Sequence, residues 1–139
     1  MDINNQEFDW VQVAPHYRYT WIHDHRIFIS QLTDVDRESV DAFIDQSTQV
    51  REGWRHEEPL RVLIDQRSAG MMTPYFRQSL QRLLESRPDL QTFLAYLLDG
   101  GIDSRMLEVS VRLMPKNPHV QTHVSESFDD AISWLLQES

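Results

Sequence analysis

Two short apolar runs constrain the fold of this chain more than any other feature. Residues 61–65 read Arg-Val-Leu-Ile-Asp, and residues 93–98 read Phe-Leu-Ala-Tyr-Leu-Leu. Each run has the length of a strand, and such apolar runs are typical of strands buried on both faces of a parallel sheet. Between and after them, apolar residues recur at helical spacing. Alternating strands and helices predict an α/β domain.

The segment before the first run predicts a β-hairpin. Residues 17–32 are rich in aromatic and β-branched side chains, and the polar residues His23, Asp24 and His25 interrupt them. This pattern is typical of two antiparallel strands joined by a turn. A capping-box pattern over residues 33–36 then predicts the start of a helix, whose apolar spacing extends to Trp54.

The later elements are predicted in the same way. Thr73 followed by Pro74 indicates the start of a second helix, and Pro88 ends it. A strand over residues 120–124 and a capping box over residues 127–130 predict the last strand and helix. The expected buried face of the third helix consists of Ile102, Met106, Val109, Ser110 and Leu113.

The predicted fold is therefore a mixed, mostly parallel sheet of about four to five strands with four main helices. A β-hairpin is followed by α-β repeats, and strand twist predicts right-handed crossovers. Residues 1–15 are expected to form an N-terminal tail and residues 16–139 a single α/β domain.

Composition excludes several classes of function. There is no cysteine, which excludes disulfides, thiolate nucleophiles and iron–sulfur clusters. The net charge of −9 disfavours nucleic acid, which needs a basic surface. Lys116 is the only lysine, and its Pro-flanked loop suits neither a Schiff base nor a phosphate-binding loop. We expect no cofactor.

No part of the sequence predicts export or membrane insertion. Residues 1–9 are polar and acidic, unlike a secretory signal, which begins with basic residues before an apolar run. The longest apolar run, residues 93–98, is too short to cross a bilayer. We expect a cytoplasmic protein without a membrane span.

Two motifs and their order carry a resemblance to a known superfamily. The middle strand ends in Asp65, and the chain closes with Phe128, Ala131, Trp134 and Leu135. Over about residues 17–136 this order resembles the STAS-like fold, the class of the bacterial anti-sigma-factor antagonists, and especially its small single-domain bacterial members. Here Ala131 follows Phe128 more closely than in those members. The resemblance implies a right-handed β-α superhelix of four turns and a regulatory role.

The sequence departs from that superfamily at the phosphorylation site. The resemblance implies a Ser or Thr acceptor at the start of the helix after the middle strand. Alignment of the strands places Thr73 on the preceding Asp position and Pro74 on the acceptor position. Proline cannot accept a phosphate, so the switch is either absent or moved to Thr73 or Ser68. The alternative role of Thr73 is simply to cap the helix.

Strand-end polar residues form the first candidate site. Asp65 and Asp99 each end a predicted buried strand, and Ser68 and Thr73 follow the first of them. The carboxyl ends of parallel strands form the usual ligand-binding edge of α/β sheets, so these residues are expected at one rim. Paired carboxylates there can perform acid–base chemistry or hold Mg²⁺. Alternatively, each Asp only caps the N–H groups of its own loop.

An apolar surplus around the second helix start forms the second candidate site. Met71 and Met72 are adjacent in a predicted loop, and Tyr75, Phe76 and Arg77 follow. Methionine is common at adaptable binding surfaces. The segment is predicted either to cover the core or to contact a partner or ligand.

The histidines have no assigned role. His23 and His25 fit a solvated turn, and His119 and His123 fit an exposed edge strand. We expect no metal site at either pair.

Three functional hypotheses follow. The first is a non-catalytic STAS-like module that binds a protein partner, including a second copy of itself. The second is a carrier or sensor of a small apolar ligand, since CRAL-TRIO-type domains have a similar layout. The third, an enzyme that uses the carboxylate rim, ranks last.

Overall fold

Six strands form one sheet whose spatial order is the order of the chain. The computed structural model describes residues 8–69, 72–114 and 116–137. No helix among these residues combines the length and apolar character that crossing a membrane requires. The elements are β1 (Val11–Ala14), β2 (Tyr17–Ile22), β3 (Ile27–Leu32), α1 (Arg37–Gly53), β4 (Leu60–Asp65), α2 (Pro74–Glu85), β5 (Thr92–Leu97), α3 (Ile102–Arg112), β6 (Val120–Ser125) and α4 (Phe128–Leu135).

The sheet is antiparallel at one side and parallel across the rest. β1, β2 and β3 pair antiparallel, and β3, β4, β5 and β6 pair parallel. The predicted α/β fold of a hairpin followed by α-β repeats is confirmed. There are six strands, more than expected, because β1 lies within the segment expected to be tail. It pairs with β2 through Val11↔Tyr19 and Ala14↔Tyr17.

The predicted hairpin turn is confirmed at its three polar residues. His23, Asp24 and His25 all have positive φ, at 54°, 56° and 63°. Asp and His are among the non-glycine residues that tolerate this region best. The Arg26 amide closes the turn by donating to the carbonyl of Ile22 at 3.2 Å.

The two faces of the sheet are covered differently. α1, α2 and α3 pack on one face, where they share a core with side chains of the sheet. Successive right-handed crossovers in one direction place their helices on the same side. α4 packs on the opposite face, together with Phe8 and Trp10. The first core includes Tyr17, Phe43, Ile64, Phe76, Leu80, Tyr96, Leu107 and Val111.

Two of the predicted helix starts are confirmed and one is wrong. The Phe76 amide donates to Thr73 Oγ1 at 3.1 Å, so Thr73 caps α2 as expected. Likewise, Ser127 Oγ accepts from the Asp130 amide at the start of α4. α1, however, begins after Asp36, whose carboxylate accepts from the Ser39 amide. Thr33 does not cap the helix, and its hydroxyl instead pairs with Nδ1 of His16 at 3.1 Å.

The predicted buried face of α3 is also wrong. Met106, Val109 and Leu113 are 52 %, 53 % and 76 % exposed, whereas Leu107 and Val111 are buried. The helix carries two apolar stripes, and spacing alone does not show which of them faces the sheet. The side chain of Ile102 lies outside the described residues.

Candidate functional site

Asp65 is the centre of a buried polar network at the carboxyl end of β4. Its side chain is almost fully buried. Oδ2 accepts from Gln31 Nε2 at 2.9 Å, and Oδ1 accepts from the amide and Nε of Arg67, both at 3.1 Å. Gln31 in turn accepts from Arg18 Nε at 2.6 Å. The carboxylate therefore holds the loop after β4 against β3, which is the loop-capping role stated as the alternative.

Asp99 has a similar local role in the next loop. It is exposed, and Oδ1 accepts from the Gly101 amide at 2.8 Å, just before α3. Gly100 has φ of 84°, and a Cβ there would lie 2.6 Å from Glu126 Oε1. This close approach brings the loop after β5 against the loop after β6. Asp65 and Asp99 thus end neighbouring strands, and each is engaged by its own loop.

The remaining hydroxyls of the expected rim differ in exposure. Ser68 is exposed, and Thr73 is half-buried with its oxygen used as the cap of α2. Gln66, which sequence reasoning missed, is 3 % exposed. Neither Oε1 nor Nε2 of its side chain has a hydrogen-bond partner among the described residues.

The segment expected to form a contact surface is packed mostly against the protein itself. Phe76 is fully buried and stacks on Phe43, with ring centroids 5.7 Å apart. Tyr75 donates its hydroxyl to Asp41 and lies under the guanidinium of Arg37 at 4.6 Å. The other two described residues of this candidate surface differ in exposure, since Met72 is half-buried against the core and Arg77 is exposed. Met71, also expected in this surface, lies outside the described residues, as does Gly70.

His123 has specific partners on α4. Its ring stacks on Trp134 with centroids 5.0 Å apart, and Nε2 lies 3.0 Å from Asp130 Oδ2. This hydrogen bond lowers the pKa of the Asp130 carboxyl below its usual value. His119 lies just before β6, and its carbonyl accepts from the Thr92 amide at 2.9 Å.

Sequence reasoning missed a cluster of three potential metal ligands. His16, Asp34 and Asp36 each offer a ligand atom, and these atoms lie within 4.8 Å of one another. Asp34 also accepts from the Val35 amide at 2.8 Å, and Asp36 caps α1. The pKa of the Asp36 carboxyl is lowered from its usual value. Desolvation acts in the opposite direction, but it is outweighed by the hydrogen bonds from Ser39 and the charge of His16. The residues come together only because the β1–β2 turn meets the start of α1.

A groove of about 800 Å³ lies between α2, α3 and the edge strand β6. The ends of the two helices form its walls, and β5 and β6 form its floor. Its apolar lining comprises Leu84, Pro88, Tyr96, Val111, Met114, Pro118, Val120 and Val124. Ligand sites typically have volumes of about 300–1,000 Å³, so the groove can accommodate a small molecule.

Tyr96 distinguishes this groove from an ordinary apolar cleft. It lies on β5 between Ile64 of β4 and Val124 of β6, and it is 1 % exposed. Burial raises the pKa of its hydroxyl well above the usual value. The other buried tyrosine with a raised pKa, Tyr17, has its hydroxyl paired with Ser30 at 3.1 Å. For Tyr96, no hydrogen-bond partner occurs among the backbone groups and side chains that the structure describes.

The exposed side of α3 forms an apolar ridge, defined by Met106, Val109 and Leu113. Arg105 and Arg112 are also exposed on this helix, and Arg112 donates to Glu108 at 2.6 Å. Single exposed apolar residues are common, but a contiguous group is typical of interaction sites. The ridge is therefore the second surface that can bind another molecule.

Comparison with known proteins does not assign the chain. No protein-family model matches it, and no curated protein matches it.

Proposed function

We propose that the chain is a non-catalytic, STAS-like regulatory module that binds a partner protein through the apolar ridge of α3. The observation that carries the proposal is the exposure of Met106, Val109 and Leu113 on one helix face. Burying a large apolar side chain contributes about 1.5–3 kcal/mol. A partner that covers all three therefore gains free energy from apolar burial on binding.

The fold supports the STAS-like part of the proposal. From β3 to α4 the chain makes four β-α steps, and the strands stay in chain order across the sheet. In the closing motif, Phe128, Ala131 and Leu135 are buried against the face opposite α1. The buried members of this motif therefore have a structural role.

The chemistry of the rim supports a non-catalytic role. Asp65 is bonded to Gln31 and Arg67, and Asp99 caps the turn before α3. These contacts explain both carboxylates without a substrate. If the module is phosphorylated, Ser68 is the accessible acceptor, because Thr73 Oγ1 is half-buried and caps α2.

Charge indicates which kind of partner fits the ridge. Arg105 and Arg112 border it on a chain whose net charge is −9. Arg112 is already paired with Glu108, which leaves Arg105 as the exposed cation beside the apolar ridge in the described part of α3. We infer that the partner presents an apolar surface bordered by carboxylates, and that it meets the module in the cytoplasm.

Three variants test this proposal against the surface expected from the sequence. Met106→Gln with Leu113→Gln alters the ridge, Arg77→Glu alters the start of α2, and Val11→Gln with Val13→Gln is the matched control. Val11 and Val13 are exposed apolar residues on β1, at 46 % and 45 %. A partner is first captured by cross-linking in cells, and its affinity for each purified variant is then measured.

We expect the ridge variant to bind at least about tenfold more weakly, which corresponds to about 1.4 kcal/mol. The β1 control should bind like the wild type. If only Arg77→Glu weakens the complex, the contact lies at the start of α2 and the ridge assignment is wrong. If all variants bind equally, both surfaces are wrong.

The groove favours a second candidate function, the uptake of a small apolar ligand. Its volume of about 800 Å³ and the apolar residues of its lining are the specific observations. Native mass spectrometry of the purified protein tests this function. An added mass that leaves on denaturation supports it, and the bare mass after incubation with a panel of small apolar compounds contradicts it.

A further inference from the structure

The hydroxyl of Tyr96 is the polar group that β5 contributes to the groove, beside Thr122 and His123 of β6. Tyr96 lines the groove although only 1 % of its surface is exposed. Its oxygen is not among the completely enclosed unpaired atoms, which include Ser47 Oγ and Asp36 Oδ1. We infer that the small exposed part of the residue, which lines the groove, includes this oxygen.

This hydroxyl is available as a hydrogen-bond donor. No partner for it occurs in the part of the chain that the structure describes, and desolvation is the cause that raises its pKa. The group stays protonated throughout the physiological pH range. A buried hydroxyl without a partner is costly, so a ligand that supplies an acceptor gains free energy there.

The lining of the groove carries both signs of charge. Glu85 and Asp89 contribute carboxylates, and Lys116 and His119 contribute basic groups. Glu108 and Arg112 also line the groove and neutralise each other in an ion pair of 2.6 Å. Neither an anionic nor a cationic ligand gains a clear net attraction, and a charged ligand must also give up its hydration.

We propose that the groove binds an uncharged apolar molecule that places a carbonyl-type oxygen on the hydroxyl of Tyr96. This inference rests on the second candidate function, the uptake of a small apolar ligand. The apolar residues of the lining bind the body of the molecule, and Tyr96 selects for the oxygen. Val124 and Ile64 flank the tyrosine on the neighbouring strands and fix its position.

Two probes of nearly equal shape test the selection. 2-Acetylnaphthalene carries a carbonyl oxygen, and 2-ethylnaphthalene has a methylene group in its place. Their affinities are measured by fluorescence for the wild type, Tyr96→Phe, Tyr17→Phe and Thr122→Trp. Tyr17 does not line the groove, so its variant is the control for a lost buried hydroxyl. Thr122 lines the groove and is exposed, so a tryptophan at this position fills part of the groove.

We expect both probes to bind the wild type, and Thr122→Trp to abolish both. Tyr96→Phe should weaken only the ketone, by about 2- to 12-fold, the range of one neutral hydrogen bond. Tyr17→Phe should leave both affinities unchanged. If Tyr96→Phe binds both probes like the wild type, this inference is wrong while ligand uptake by the groove stands. If neither probe binds, or Thr122→Trp has no effect, the ligand function of the groove is wrong as well.

Discussion

Arg51 and Arg87 donate hydrogen bonds to each other's backbone. Arg51 Nη2 donates to the carbonyl of Arg87 at 3.0 Å, and Arg87 Nη1 donates to the carbonyl of Arg51 at 2.6 Å. Arg87 also reaches the Trp54 carbonyl at 2.8 Å, and Arg51 reaches Thr92 Oγ1 at 3.1 Å. The exchange binds the end of α1 to the loop after α2 and to the start of β5. Each of the two carbonyls also accepts a backbone amide, from Trp54 at 3.3 Å and from Leu90 at 3.0 Å, so the exchange gives each a second donor.

Replacing Arg51 by Met tests this exchange. Arg51 is 3 % exposed, and its loss leaves the Arg87 carbonyl and Thr92 without these donors. We expect the free energy of unfolding to fall by about 2–3 kcal/mol, the range of hydrogen bonds to a charged group. Urea denaturation measures this change. Arg82→Met, at an exposed position in the last turn of α2, should be nearly neutral, and equal effects of the two variants would contradict the prediction.

The two stripes of α3 predict opposite responses to the same substitution. Leu107 is 1 % exposed and Leu113 is 76 % exposed. Leu107→Ala should destabilise the protein by about 2–5 kcal/mol, because it creates a cavity in the core. Leu113→Ala should change stability by less than about 0.5 kcal/mol. Thermal unfolding measures the stability of both variants. A large loss of stability in Leu113→Ala would mean that the ridge is buried.

The two buried tyrosines predict a contrast in stability. Tyr17→Phe leaves the buried hydroxyl of Ser30 without its partner, and should cost about 1–3 kcal/mol. Tyr96→Phe removes a hydroxyl that has no partner among the described residues. It should leave stability unchanged or raise it, by the same reasoning. Chemical denaturation of both variants provides the test, and a comparable loss at Tyr96 would show that its hydroxyl is already satisfied.

The strand-end carboxylates predict another contrast. Asp65→Asn weakens four hydrogen bonds to Gln31 and Arg67 in a buried network. We expect a loss of about 2–3 kcal/mol for this charged, hydrogen-bonded group. Asp99→Asn affects an exposed cap and should cost no more than about 1 kcal/mol. The midpoints of urea denaturation measure both changes. The reverse order of the two losses would refute the role of Asp65 as the centre of the network.

Local chemistry in the sequence was sufficient to predict much of the fold. The positive φ values of His23 and Asp24, and the cap at Thr73, occur where the residue types favour them. β1 was missed because Val11–Ala14 has only 4 residues, which is short for a strand. Its pairing with β2 depends on the hairpin that follows it.

The candidate sites were less predictable because they depend on packing between distant segments. The groove joins the ends of α2 and α3 to β6, and helical spacing does not show that the helices separate there. One signal of the groove was present in the sequence, since Tyr96 carries a hydroxyl within the otherwise apolar run of residues 93–98. The exposed stripe of α3 was misjudged because Met106 and Leu107 lie on adjacent stripes of equal apolar character.

The contact between His123 and Asp130 predicts a measurable titration. Their hydrogen bond is the largest cause that lowers the pKa of Asp130 from its usual 3.8. In His123→Phe the ring can still stack on Trp134, but the donor is lost, so the Asp130 pKa should rise toward 3.8. Because the folded pKa is lowered, the stabilisation is present above the unfolded value and is lost as pH falls through the folded value. Carboxyl NMR measures the pKa of Asp130, and His119→Phe should leave it unchanged. Identical Asp130 titrations in the wild type and His123→Phe would show that the histidine does not bind this carboxylate.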